Sequence, residues 1–149
     1  MILWRISTFT DLSGRGGLLA GGRWHRAGRP VVYLAETPSG ALLEVLVHLE
    51  IDPEDIPDSL RLLRVEIPDH ASMRTADALP SSWEADTSST RNMGDSWLAQ
   101  GETLLLRVPS AIMPYTNNVL LNPVHHQASL VNVQIENVKL DKRLLNRTP

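Results

Sequence analysis

PVVYLAETPSGALLEVLVHLE, residues 30–50, is the stretch of sequence that decides the fold. Its first part, Val31–Ala35, is a short apolar run that follows a proline, which is typical of a buried strand. Its second part, Pro38–Glu50, carries leucines and valines at helical spacing, and Thr37 or Ser39 could cap such a helix. A buried strand that leads directly into an amphipathic helix predicts a fold that mixes sheet and helix.

The rest of the chain adds short strands and one more helix. Four apolar or alternating segments predict strands, namely Ile2–Ile6, Arg61–Ile67, Leu104–Val108 and Leu130–Val138. A short helix is expected at Arg91–Gln100, a turn at Asp52–Pro57, an irregular excursion at Asp69–Thr90 and a frayed basic tail after Asp141. We therefore predict one α+β domain over residues 1–149, with a mixed, mostly antiparallel and partly barrel-like sheet.

Composition narrows the class of protein. The chain has 149 residues, of which 42% are hydrophobic and 5% aromatic, so one mainly aliphatic core is expected. A net charge of −3 argues against a DNA-binding surface, and the lack of cysteine excludes disulfides and thiolate sites. No apolar run approaches the roughly 20 residues that cross a bilayer. We expect a cytoplasmic protein that neither enters a membrane nor binds DNA itself.

Glu44 is the first candidate for chemistry. It is the only charged residue between Pro38 and Val47, within an otherwise apolar helix. Burying a carboxylate is costly unless it is paired or used, which favours a functional role. The alternative is that Glu44 lies on the single wet stripe that most surface helices carry. The pattern alone leaves both interpretations open.

The segment Gly21–His25, GGRWH, is a candidate phosphate site. Arg23 offers a planar fork for phosphate oxygens, and the glycines allow a ligand to approach the backbone. The alternative is a tight hairpin in which Arg23 and Trp24 merely stack. Tyr33, inside an apolar strand, is either a core tyrosine with a satisfied hydroxyl or part of the same pocket.

Residues 108–126 offer further polar candidates. Ser110 lies between prolines in VPSAIMP but not in a G-x-S-x-G elbow, so a hydrolase nucleophile is unsupported. His125 and His126 lack the spacing of a zinc motif, and we expect no metal. No nucleotide-binding glycine motif is present. Clustered asparagines usually form turns, which is our interpretation of Asn117, Asn118 and Asn122.

Taken in order, four stretches resemble the RES domain family, which is named after an arginine, a glutamate and a serine. They are GGRWHRAGRPVVYLAETPSGALLEVLVHLE, GDSWL, VPSAIMP and NNVLLNPVHHQA. The resemblance implies an ADP-ribosyltransferase-like fold and a toxin that depletes NAD+ by hydrolysis or phosphorolysis of the nicotinamide–ribose bond. It also implies an Xre-type helix-turn-helix antitoxin and a homodimer within the complex. NAD+ would be the substrate, with no further cofactor.

The resemblance also assigns residues by position. The implied catalytic residues are Arg23, Glu44, Tyr33 and Ser110, and the implied substrate-binding residues are Arg5, Trp24, His25 and Asn118. Arg23 would hold phosphate, Glu44 the ribose and its developing positive charge, and Tyr33 the nicotinamide end. Ser110 and Asn118 would fix nicotinamide or ribose by hydrogen bonds.

Three positions depart from the family pattern and leave the acceptor open. His25 replaces a more usual asparagine, Thr116 a common acidic residue, and Val119 a common aromatic residue. Two alternatives therefore remain beside NAD+ cleavage. One is an ADP-ribosyltransferase that modifies a cellular protein, and the other is a non-catalytic module that only binds an antitoxin.

Overall fold

A single mixed sheet organises the chain, with helices inserted between its strands. The structure, a computed structural model, describes residues 1–48 and 56–145. The helices in these ranges are α1 (Arg15–Leu19), α2 (Pro38–His48) and α3 (Thr87–Gln100), with 3-10 turns at His126–Leu130 and Lys142–Leu144. The strands are β1 (Ile2–Ser7), β2 (Val32–Ala35), β3 (Arg61–Glu66), β4 (Met73–Thr75), β5 (Leu105–Pro109), β6 (Asn117–Leu121) and β7 (Asn132–Asn137).

The strands follow the spatial order β4-β5-β6-β2-β1-β3-β7. Every neighbouring pair is antiparallel except β4 and β5, which run parallel. The central strand β2 places Ala35 opposite Trp4 on one side and Asn118 on the other. The expected α+β fold with a mostly antiparallel sheet is confirmed. Within residues 1–48 and 56–145 the sheet is open, with β4 and β7 at its edges, and does not close into a barrel.

Alternation along the strands divides the core between two faces of the sheet. One face carries an aliphatic cluster that includes Leu3, Val32, Leu34, Leu63 and Val119. The other face is covered by helices. There α2 packs with Trp4, Ile6 and Ala35, while α3 contributes Trp97 and Leu98 to a cluster with Leu106, Val108 and Leu120. No helix in the described ranges is long and apolar enough to span a membrane.

Several elements differ from the sequence-based predictions. Helix α3 begins at Thr87 instead of Arg91, because the Asp86 side chain accepts a 3.1 Å hydrogen bond from the Ser89 N–H and caps the helix. Strand β4 and helix α1 were not predicted. The turn interpretation is wrong for two asparagines, which lie in β6, and right for Asn122, whose side chain accepts from the Val124 N–H. Most of the predicted turn at residues 52–57 lies outside the described residues.

Candidate active site

Glu44 on α2 reaches two polar side chains from the other half of the chain. The Asn118 Nδ2 donates a 2.7 Å hydrogen bond to Glu44 Oε1, and the Ser110 hydroxyl donates to the same oxygen at 3.4 Å. In the described part of the chain both bonds go to Oε1, which leaves Oε2 as the oxygen available to a ligand. Glu44 is half-buried and paired. It is therefore not a residue on an open, wet stripe.

The start of α2 explains how Glu44 reaches this position. Thr37 caps the helix, since its Oγ1 accepts a 2.9 Å hydrogen bond from the Gly40 N–H. Gly40 and Ala41 are buried, and a Cβ added at Gly40 would lie 3.4 Å from the Ala35 Cβ. Small residues in the first turn thus let the helix lie close against β2. The next turn carries Glu44 toward the start of β6, where Asn118 lies.

The Ser110 hydroxyl also organises the loop between β5 and β6. Its oxygen accepts hydrogen bonds from the N–H groups of Ile112 at 3.1 Å and Met113 at 3.4 Å. The Ser110 N–H donates to the Thr116 carbonyl at 2.8 Å, which closes the loop at its base. Tyr115 at the loop tip is fully exposed and has a positive φ of 61°. A buried serine thus joins the loop to Glu44.

A cleft of about 210 Å³ runs beside this loop, between Ser110 and Asn117 on one side and Trp83 and Glu84 on the other. Arg23 contacts a residue of the cleft wall, because its Nη1 donates a 2.7 Å hydrogen bond to the Glu84 carbonyl. Arg23 is half-exposed, and the other guanidinium nitrogens have no hydrogen bond within the described residues. Ser110 therefore lines the cleft, and Arg23 is tied to the opposite wall through the Glu84 carbonyl.

Tyr33 supports the segment that carries Arg23. Its hydroxyl oxygen accepts a 3.2 Å hydrogen bond from the Trp24 N–H and lies 2.7 Å from His25 Nδ1. Burial is the main cause that raises the pKa of the Tyr33 hydroxyl. A Cβ at Gly22 would lie 2.6 Å from that hydroxyl oxygen, so glycine is needed there. The half-buried Tyr33 thus has its hydroxyl satisfied beneath the segment that carries Arg23, and its expected role at the nicotinamide end stays a prediction.

The side chains of Trp24 and His25 are buried beneath the segment that carries Arg23 and do not line the cleft. Trp24 is 2% exposed and packs on Trp83, with ring centroids 5.9 Å apart. His25 is 1% exposed, and its two ring nitrogens contact the Tyr33 hydroxyl and, at 3.1 Å, the Gly17 carbonyl. Their substrate-binding roles stay predictions, while their contacts are those of supports for Arg23.

Arg5 lies away from these groups. It shares the sheet face of Leu3, opposite the face that holds Trp4 and Ala35. Burial lowers the pKa of the Arg5 guanidinium, and the nearby Asp11 carboxylate partly offsets this. Its substrate-binding role remains a prediction that no described contact links to Glu44.

Sequence reasoning missed two residues that line the cleft, Trp83 and Glu84. Both lie in the polar segment that we predicted to be irregular, where no periodicity marks them. It also missed a partly buried ion pair, in which the Arg107 Nε lies 2.6 Å from the Glu36 Oε1. The ring centroids of His125 and His126 are 4.2 Å apart. Among residues 1–48 and 56–145, no three acidic or histidine side chains lie close enough together to hold a metal ion.

Comparison with known proteins places this chain in a family. Residues 2–143 match the RES domain. The chain is 57% identical over 144 residues to "Toxin Res" of Pseudomonas putida, covering 97% of this chain and 99% of that protein. It is 44% identical over 131 residues to "Toxin Res" of Photorhabdus laumondii, covering 83% of each chain. It is 36% identical over 137 residues to the "Prs ADP-ribosylating toxin" of Sphingobium sp., covering 84% of each. Since the domain match spans nearly the whole chain, the protein belongs to the RES domain family.

Proposed function

We propose that this protein is a toxin that destroys NAD+ by cleaving the bond between nicotinamide and ribose. The observation that carries the proposal is the half-buried Glu44 carboxylate, whose Oε1 is held by Asn118 and Ser110. Cleavage of such a bond passes through an oxocarbenium-like state, as in glycoside hydrolysis. A carboxylate that is already oriented by two neighbours stabilises that positive charge without reorganising.

The other residues divide the remaining tasks. Nicotinamide leaves as a neutral group with the electrons of the broken bond, so no strong acid is required. Arg23 holds the pyrophosphate through its guanidinium fork, and Glu44 Oε2 holds the ribose hydroxyls. Ser110 and Asn118 orient Glu44 and contact nicotinamide or ribose. Water or inorganic phosphate then forms the new bond to the ribose carbon and loses its proton to solvent.

The same first step also serves ADP-ribosyl transfer to a protein. This second candidate is supported by the name of the Sphingobium relative, an ADP-ribosylating toxin. It shares the ADP-ribosyltransferase-like fold that we propose for this chain and differs only in the acceptor. A non-catalytic module that binds an antitoxin is the third candidate.

One experiment separates these candidates. Pure protein is incubated with NAD+, with and without phosphate, and the products are analysed by mass spectrometry. Loss of NAD+ to ADP-ribose, or to its phosphorylated form when phosphate is present, supports the proposal. Mass added to a co-incubated protein supports transfer instead. If the wild-type protein turns over no more NAD+ than the Glu44→Gln control does, the result contradicts both enzymatic candidates.

The toxin names of the relatives support an inhibitory partner. We propose an Xre-type helix-turn-helix antitoxin, encoded beside the toxin, that acts in the cytoplasm and covers the pocket near Arg23 and Glu44. With a net charge of −3, the toxin leaves DNA binding to that partner. The complex is expected to contain a toxin homodimer. NAD+ loss should fall in proportion to complex formed, and full activity of a complex purified by size exclusion would contradict inhibition by blockage.

A further inference from the structure

Arg23 projects from a short turn, Gly22–Arg26, which an antiparallel bridge between Gly22 and His25 closes and which helix α3 holds from one side. The Thr90 hydroxyl donates a 2.6 Å hydrogen bond to the Arg23 carbonyl. The Arg91 Nε donates a 2.9 Å hydrogen bond to the Gly22 carbonyl. Two consecutive helical side chains thus satisfy two consecutive carbonyls of the segment.

Helix α3 also contacts the next residues of the segment, Trp24 and Arg26. A Cβ added at Gly94 would lie 1.6 Å from the Trp24 carbonyl oxygen, so α3 approaches the segment as closely as a bare Cα allows. Asp95 accepts from the Arg26 N–H at 3.0 Å and from its guanidinium at 2.7 Å. Four residues of α3 thus lie on one helical face, spaced for contact with a single neighbour.

We propose that Thr90 and Arg91 are positioning residues that hold Arg23 in the geometry needed to bind the pyrophosphate of NAD+. This inference rests on the proposed function. The Gly22–His25 bridge and the Tyr33 hydroxyl close the turn from within, and any backbone freedom that remains at Arg23 would have to be lost on binding, which would weaken affinity. The contacts with α3 remove that freedom in advance. They act on the backbone and leave the Arg23 side chain, apart from Nη1, for the ligand.

The test uses isosteric substitutions with a matched control. Thr90 is fully buried, so Thr90→Val keeps nearly the same side-chain volume and replaces the hydroxyl by a methyl group that cannot donate to the Arg23 carbonyl, while Thr90→Ser retains the hydroxyl. Thr103→Val removes a comparable hydroxyl, which accepts from Trp97 Nε1 and donates to the Leu105 carbonyl near the other end of α3. We expect Thr90→Val to raise the KM for NAD+ at least about tenfold, with kcat within about threefold of wild type.

The other variants sharpen this outcome. Thr90→Ser is expected to keep the wild-type KM, Thr103→Val to leave KM unchanged, and Arg91→Met to raise KM in the same direction as Thr90→Val. Unchanged KM in a folded Thr90→Val protein would overturn the inference. An equal rise in Thr103→Val would also overturn it, because the effect would then reflect general loss of stability.

A second measurement needs no NAD+ and separates this inference from the proposed function. Two backbone N–H groups of the Gly22–Arg26 segment report on its order. The Trp24 N–H donates to the Tyr33 hydroxyl, and the Arg26 N–H donates to the Asp95 carboxylate. Their exchange should be at least about tenfold faster in Thr90→Val but not in Thr103→Val. If wild-type protein does not consume NAD+, the proposed function fails, and hydrogen exchange alone then tests whether Thr90 holds the Gly22–Arg26 segment. Unchanged exchange in Thr90→Val then overturns the positioning role, and faster exchange supports it.

Discussion

The amide of Asn118 and the carboxylate of Glu44 are 74 residues apart in sequence and meet in a 2.7 Å hydrogen bond. The bond depends on the pairing of β2 with β6, which sets Asn118 directly opposite Ala35, just before the turn that begins α2. A shift of one residue in this register would turn the amide to the opposite face of the sheet. Strand register therefore determines whether the site exists.

Replacing Glu44 with glutamine tests its charge. Glu44→Gln keeps an oxygen able to accept from Asn118, so the fold should survive, while the negative charge is lost. We expect NAD+ turnover to fall by at least about 100-fold. The control is Glu136→Gln, which removes an exposed carboxylate from β7. Near-normal turnover in a folded Glu44→Gln protein would rule out the assignment.

Replacing Arg23 with lysine tests the fork. Arg23→Lys keeps the positive charge and loses bidentate geometry, so NAD+ should bind more weakly, with KM raised about tenfold or more, and toxicity in cells should be lost. Arg29→Lys, an exposed arginine in the same part of the chain, is the matched control. Equal NAD+ affinity in Arg23→Lys and wild type would remove Arg23 from the binding site.

Gly94→Ala should destabilise the protein although alanine is the better helix former. In a free helix the change would stabilise by roughly 1 kcal/mol. Here the added Cβ would lie 1.6 Å from the Trp24 carbonyl oxygen, so backbone must move. We expect a loss of about 1–3 kcal/mol, measured as a melting temperature lower by at least about 3 °C.

The control for this prediction is another helical glycine. In Gly16→Ala the new Cβ would meet only a Phe9 ring atom at 3.9 Å, and we expect no loss of stability. A melting temperature of Gly94→Ala at or above that of wild type would show that α3 can move away from the segment freely. That result would also count against the positioning role of the helix.

Stability should depend on pH through His125. Burial is the main cause that lowers the pKa of this imidazole below 6.5, and the neighbouring His126 is the second. The unfolded chain then binds the proton more readily than the folded chain does. The contribution of neutral His125 to the free energy of unfolding is therefore complete above about pH 6.5, and it is lost as pH falls through the folded-state pKa.

Urea unfolding at pH 7.5 and pH 5.5 checks this. In His125→Asn the amide oxygen can still accept from the Gln127 N–H, as the His125 Nδ1 does, but nothing titrates. We expect a smaller loss of unfolding free energy between the two pH values in His125→Asn than in wild type. His70→Asn, at an exposed histidine, should keep the wild-type difference. The same pH dependence in His125→Asn and wild type would contradict the prediction.

The sequence predicted the elements whose hydrophobic pattern is continuous. Helix α2 and strands β1 to β3 are seen close to their expected bounds, because each buries a regular apolar face. Strand β6 was missed because Asn117 and Asn118 favour turns over strands, and here pairing with β2 and β5 overrides that preference. The cap at Asp86 was present in the sequence, but the serines and threonines after it carry no apolar period.

For the site, the isolated charge of Glu44 pointed to a special position, whereas its partners could not be derived from spacing. Which side chains meet Glu44 depends on how β6 pairs with β2, and that pairing joins distant parts of the chain. The support of Arg23 by Thr90 and Arg91 was equally hidden, since it arises from how closely α3 lies against Trp24.

The position of Asn118 along the chain has a consequence for biosynthesis. A nascent polypeptide that ends at Gln100 already contains Arg23 and Glu44, but it lacks Ser110, Asn118 and the strand β6 that pairs with the centre of the sheet. Such a chain has nothing to orient the carboxylate. Under the proposed function, a translation product that stops at Gln100 should therefore not turn over NAD+, and activity should appear only once β6 has been made and paired with β2.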